Sequence, residues 1–127
     1  MDKKVVWIGS SRNDLRDFPE VPRREVGVAL RAAQSGGKPP TSKPLKGFHG
    51  ASVLEIVEDH DTDTYRAVYT IQFEEAVYVL HCFQKKSKSG IATPKADIAL
   101  IESRYRSAEK EHQTWLKQQP PKPKQKK

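Results

Sequence analysis

The chain has 127 residues, 35% of them hydrophobic and 31% charged, enough for one modest core and too few for two. Its single cysteine, Cys82, excludes an internal disulfide and a cysteine-built zinc cage, and no apolar run approaches the roughly 20 residues of a membrane span. The formal charge is +7, but KQQPPKPKQKK at residues 117–127 holds five lysines and no acid, which leaves only +2 for residues 1–116.

Taken in chain order, KKVVWIG (3–9) has the β-branched and aromatic content of a short strand ended by Gly9. Ser11 followed by Asp14 reads as a helix start. Val26, Ala29, Leu30 and Ala33 then recur at helical spacing within EVPRREVGVALRAAQ (20–34), with Pro22 tolerable in the first turn and Gly36 and Gly37 as the stop. Residues 36–52 are a turn-rich loop carrying Lys38, Lys43, Lys46 and His49.

Three strand candidates follow: SVLEIVE (52–58), TYRAVYTIQF (64–73) and AVYVLHCFQ (76–84). Their connections are short enough for an antiparallel meander. EDHDTD (58–63) has four acids around a histidine, yet it lacks the glycine and distal glutamate of a calcium loop and reads as a polar hairpin turn. Thr93 as cap and Pro94 at the first helical position open a last helix. Its apolar stripe is Ile98, Ile101, Tyr105 and Ala108, extended by His112 and by Trp115 or Leu116 to about Gln118.

The expected fold is α+β: a small antiparallel sheet, made of the N-terminal strand plus the three-stranded meander, packed against two N-terminal helices, with a C-terminal helix. One domain spans 1–118, and 119–127 is a disordered basic Pro/Lys tail. One sheet face is expected under helices and the other partly open. The N-terminus lacks the arrangement of a signal peptide, and a cytoplasmic location is the default.

Alternation in the second meander strand puts Arg66, Val68 and Thr70 on one side and Tyr65, Ala67, Tyr69 and Ile71 on the other, with Arg66 marking the open face. The next strand separates His81 and Lys85 from Cys82 and Lys86, and one of the two lysines shares Arg66's side. Fixed cations on a sheet beside a lysine-rich loop suit a phosphodiester, since arginine offers a planar fork and lysine a movable point charge. With RNA, the ribose 2′-hydroxyl attacks the adjacent phosphate, so the protein has only to position it, move protons and stabilise charge, with no metal or cofactor. Plainer readings stand beside this one. Arg66 pairs with Glu55 across the sheet, Lys85, Lys86 and Lys88 guard a strand edge, His81 is an interior histidine, His49 is a surface histidine, and Cys82 is a buried thiol.

KPLKGFHGASVLEIVED, DTYRAVYTIQF and VYVLHCFQKKSKSGIATPKADIALI, in that order, resemble the phage-derived, HigB-like branch of the RelE/ParE toxin superfamily over about residues 5–108. The resemblance implies the toxin of a type II toxin–antitoxin module, acting as a ribosome-associated, metal-independent mRNA endonuclease. It also implies a helix-turn-helix antitoxin as partner, in a toxin–antitoxin hetero-oligomer. Catalytic candidates are Arg66, Lys85, Lys86 and His81; Lys43, Lys46, His49 and Lys88 are candidate RNA contacts. Relatives often read Glu-Leu-Arg where this chain has Glu55, Ile56 and Val57, so one cation of the pattern is absent, and Tyr105 or His112 matches a C-terminal catalytic position only loosely. The general base stays open. The alternatives are a ParE-like gyrase inhibitor and an inactive relic that binds only an antitoxin.

Overall fold

A computed structural model describes residues 2–46, 48, 52–85 and 93–120. The elements are β1 (Lys4–Trp7), α1 (Ser11–Arg16), α2 (Glu20–Gln34), β2 (Ser42–Pro44), β3 (Val53–His60), β4 (Asp63–Thr70), β5 (Ala76–Lys85) and α3 (Lys95–Gln118). The α+β expectation holds. The five-stranded sheet has the order β1-β5-β4-β3-β2, with the expected meander antiparallel throughout. Two features differ from the sequence reading. β1 pairs parallel with β5, because α1 and α2 carry the chain away before it returns. β2 adds an edge strand from within the proline-rich loop, where Pro44 is tolerated because one side of an edge strand needs no ladder donor.

Helix ends follow local chemistry. α2 stops in a Schellman motif: Gly36, at φ +87, donates its N–H to the Ala33 carbonyl at 3.0 Å, and Gly37 donates to Ala32 at 2.9 Å. The first helix is capped at Ser10 rather than Ser11, and the Ser10 hydroxyl donates to Asp14 Oδ2 at 2.6 Å. The hairpin turn expected at EDHDTD is present but tighter than read, with Asp61 at φ 56 between paired His60 and Asp63. Thr93 does not cap α3. Pro94 takes that position, and the Thr93 hydroxyl is drawn instead to Glu55.

Both sheet faces are covered, in place of the single covered face expected. Leu15 of α1, Phe18 of the turn after it, and Val26 and Leu30 of α2 pack on Leu54, Ile56, Ala67, Tyr69, Val77 and Val79. On the opposite face Ile101, Tyr105 and Ala108 of α3 pack on Val53, Val68, Tyr78 and Leu80, with Leu45 and Phe48 closing one side. Farther along α3, His112 is 2% exposed. Its Nδ1 lies 3.0 Å from the Tyr78 hydroxyl and its Nε2 2.8 Å from Glu75, while Phe73 and Trp115 flank the ring. Lys4 Nζ sits 4.1 Å above the Trp115 ring, tying β1 to the end of the helix.

Candidate functional site: the polar end of the α3 face

Paired residues in a sheet share a face, so the register reads out the site in rows. One row crosses the sheet as Lys43, Glu55, Val68 and His81; the next is Val57, Arg66 and Phe83; the last is Asp59, Thr64 and Lys85. Strands lie about 4.8 Å apart, so each row spans on the order of 10–15 Å. The pairing skips Leu80 between Val68↔His81 and Tyr69↔Val79, a bulge in β5. Leu80 and His81 therefore both reach the α3 face, and Lys85 shares the side of Arg66.

Arg66 is 3% exposed, against the expectation that it marks an open face. Thr93, just before α3, lies against it. Its Nη1 donates to Glu55 Oε2 at 3.2 Å, and the Thr93 hydroxyl donates to the same oxygen at 3.1 Å. Arg66 Nη1 also lies 3.4 Å from Thr93 Oγ1. Glu55 and Arg66 are diagonal neighbours on β3 and β4, which is why the pair forms. Two buried charges thus neutralise each other.

His81 is 7% exposed. Its Nε2 lies 2.8 Å from Asp97 Oδ1, its Nδ1 lies 3.5 Å from Arg104 Nη1, and its ring stacks on Phe83 at 4.6 Å. A guanidinium only donates, so in this network Nδ1 accepts from Arg104 and Nε2 carries the hydrogen and donates the hydrogen bond to Asp97. Arg104 also donates to the Leu80 carbonyl at 3.0 Å and to the Ser10 hydroxyl at 3.1 Å. It fits there because Gly9, at φ +57, has no side chain: a Cβ would come within 2.9 Å of the guanidinium carbon. Both ring nitrogens of His81 are thus engaged inside the protein, and the residue is held as a strut between β5, α1's cap and α3.

Lys43 and Lys46 are exposed on and just after β2, and Lys85 is half-buried at the end of β5. His49, Lys86 and Lys88 lie outside the described residues. Among the described residues no three histidine, cysteine, aspartate or glutamate side chains gather as a metal site would require, and no helix is long and apolar enough to cross a membrane. Cys82 is 2% exposed, and burial pushes its thiol up to about 12, the chemistry of an inert core residue. Sequence reasoning missed Asp97 and Arg104. An acid in a helix's first turn reads as a dipole partner, and only the bulge brings His81 to it.

None of the curated proteins matches the chain. Among solved structures it resembles the E. coli toxin RelE in the free state, at 16% identity and a TM-score of 0.54, over 85% of this chain and 98% of that one. It is also matched to the toxin–antitoxin complex RelBE2 from Mycobacterium tuberculosis at 22% identity and a TM-score of 0.43, over 68% of this chain and 95% of that one. A family model described as Phage derived protein Gp49-like (DUF891) matches residues 13–106. That match takes in most of α1, all of α2, the whole meander and the first half of α3, so the chain belongs to the phage-derived Gp49-like family, and its fold is like that of RelE.

Proposed function

We propose that this protein is the toxin of a type II toxin–antitoxin module and that it cuts mRNA on the ribosome in the cytoplasm. The observation that carries the reading is the fold likeness to the toxin RelE, which extends over nearly the whole of that chain. The rows of the α3 face add chemical support. Lys43 and Lys85 stand at opposite ends of the first and last of these three rows on one face, and Lys46 follows β2, so an RNA backbone can be gripped across the sheet. Lys86 and Lys88 follow Lys85 in sequence and act with it; His49 joins Lys46 in the loop.

In the reaction the ribose 2′-hydroxyl loses its proton and attacks the adjacent phosphorus. The bond to the 5′-oxygen breaks, that oxygen takes up a proton, and a 2′,3′-cyclic phosphate remains. No protein nucleophile or cofactor is required, only positioning, proton transfer and charge stabilisation. The ribosome supplies the positioning that a core of +2 supplies poorly on its own. The partner is an antitoxin with a helix-turn-helix domain, which neutralises the toxin in a hetero-oligomer.

One observation favours a second, non-enzymatic reading. The Arg66 charge is satisfied by Glu55, as in a protein that only binds its target, such as a gyrase inhibitor or a relic that retains only antitoxin binding. Primer extension on a defined message in a reconstituted translation reaction separates the two. Wild type cuts only with ribosomes present, and Lys43→Ala/Lys85→Ala, folded as judged by circular dichroism, loses at least about tenfold of that cutting. Equal cutting of free RNA removes the ribosome from the mechanism. Absence of cutting by folded wild type, with early loss of supercoiling on induction in cells, establishes the inhibitor.

A further inference from the structure

One aromatic ring stands apart from the rest. Of the four phenylalanines and four tyrosines seven are buried, and Phe83 alone is half-buried. Trp7 packs on the α1–α2 side of the sheet, and Trp115 has Lys4 above its ring. Phe83 lies near the end of β5, between His81 and Lys85 on one face and about 7 Å from each along the strand. The His81 ring stacks on it at 4.6 Å with an interplanar angle of 17°, and that imidazole is itself held at both nitrogens by Asp97 and Arg104. The phenyl ring therefore has a rigid backing on one side, and what is exposed of it is its edge and its other side.

The surroundings set the chemistry of a ligand for that ring. The middle row is apolar at both ends, with Val57 half-buried as well, and the Arg66 charge between Val57 and Phe83 is met by Glu55. The rows on either side end in cations, Lys43 on β2 and Lys85 on β5. The acids of this face are tied within the protein: Glu55 accepts from Arg66 and Thr93, Asp59 from Thr64, and Asp97 from His81. A rigid aromatic surface with a lysine two residues away suits a ligand that alternates flat rings with single negative charges. Single-stranded nucleic acid is built so, its bases offering π-faces for stacking while its phosphates take lysines. In a duplex the bases are held inside the stack and out of reach of the ring.

We propose that Phe83 is a base-stacking residue: one nucleobase of a single-stranded RNA substrate lies on the side of the ring turned away from His81, and Lys85 takes the adjoining phosphate. This rests on the mRNA-cutting reading and deepens it by giving the substrate a fixed register on the face. Every base has a π-face, so Phe83 positions the strand without choosing its sequence. Position decides the rate, because the attacking 2′-hydroxyl and the departing 5′-oxygen must stand in line through the phosphorus, and a base seated on a rigid ring restrains its own sugar.

Two measurements test this, one with the chemistry and one without it. In the reconstituted translation reaction Phe83→Leu, which keeps an apolar side chain against the core, cuts about tenfold more slowly than wild type, as the loss of one base stack requires, and Phe83→Trp keeps most of the activity. Circular dichroism melts report that both variants are folded. Separately, the full chain with isotope-labelled phenylalanine is titrated by NMR with a 2′-O-methyl hexanucleotide, which lacks the attacking hydroxyl and stays intact. The Phe83 ring signals shift, those of Phe18, Phe48 and Phe73 do not, and the same strand with abasic sugars leaves Phe83 unmoved. Cutting by Phe83→Leu at the wild-type rate overturns the inference, as does an unmoved Phe83 signal at millimolar hexanucleotide. Equal slowing by Phe83→Leu and Phe83→Trp also overturns it and makes Phe83 a packing residue. If wild type cuts nothing, yet the Phe83 signals shift with bases and not with abasic sugars, the nuclease reading fails and the base seat stands.

Discussion

The two faces of the sheet are built by opposite rules. Under α1 and α2 the buried residues are almost wholly apolar, joined by Cys82 and by tyrosines whose hydroxyls reach the rim, as Tyr69 does to Ser42 at 2.7 Å. On the α3 side, beside Val53, Val68, Leu80 and Ile101, lie Glu55, Thr64, Arg66, Thr70 and His81, with His112 of α3 itself, all buried and all polar. The first face holds together by area and fit and is indifferent to direction. The second depends on pairs that hold only while both members are present. A small protein with so many directional groups on one side has placed its specificity there and its cohesion on the other.

The sharpest way to break that contrast is to remove one member of a pair. Arg66→Ala is expected to cost about 3–5 kcal/mol in urea unfolding, because Glu55 is left charged and buried, whereas replacing both by Glu55→Leu/Arg66→Met is expected to be close to neutral. If the double change costs as much as the single one, the pair is not what separates the faces. Across the sheet, Leu54→Ala leaves a cavity and costs about 2–5 kcal/mol, and no second substitution of a polar partner relieves it. Gly9→Ala is expected to lose about 1–3 kcal/mol through its positive φ and its collision with Arg104, and Arg104→Ala in the same chain should recover the collision part only.

Two smaller effects probe the apolar side. Cys82 in the folded protein should resist a thiol reagent at pH 8 and react only on unfolding; labelling at the rate of a free thiol would mean that this core opens readily. Glu58, on β3, has its carboxyl held above the usual range by burial first and by Glu25 second. A raised acid pKa means that the folded state binds the proton more tightly, so stability falls as pH rises through that value. Glu58→Gln should therefore raise the melting temperature slightly at pH 7, with the gain fading in acid.

Much of this was legible in the sequence. The apolar spacing of Val26, Leu30 and Ala33 marked α2 at its observed bounds, and Ile101, Tyr105, Ala108 and His112 all proved to be the buried stripe of α3. The Glu55–Arg66 pair was foreseeable as one of two readings, since both residues lie on adjacent strands. What sequence could not yield was anything set by pairing between distant segments. β2 hid in a loop whose composition argues against a strand. The parallel partner of β1 depends on where the chain returns after two helices. Thr93 has the local chemistry of a cap, and a buried carboxylate 38 residues away outcompeted that role. The side on which Lys85 stands required both the register and the bulge.

That bulge makes the last turn of β5 sensitive to counting rather than to chemistry. Side chains in a strand obey a parity, and the extra residue at Leu80 inverts it for everything downstream. Were the bulge ironed out with Leu80 retained in regular pairing, composition, charge and every motif would be untouched, yet Lys85 would turn to the α2 side and Gln84 to the side of Arg66. The side on which this strand end presents its charge is therefore fixed by one surplus residue of pairing rather than by the chemistry of any side chain.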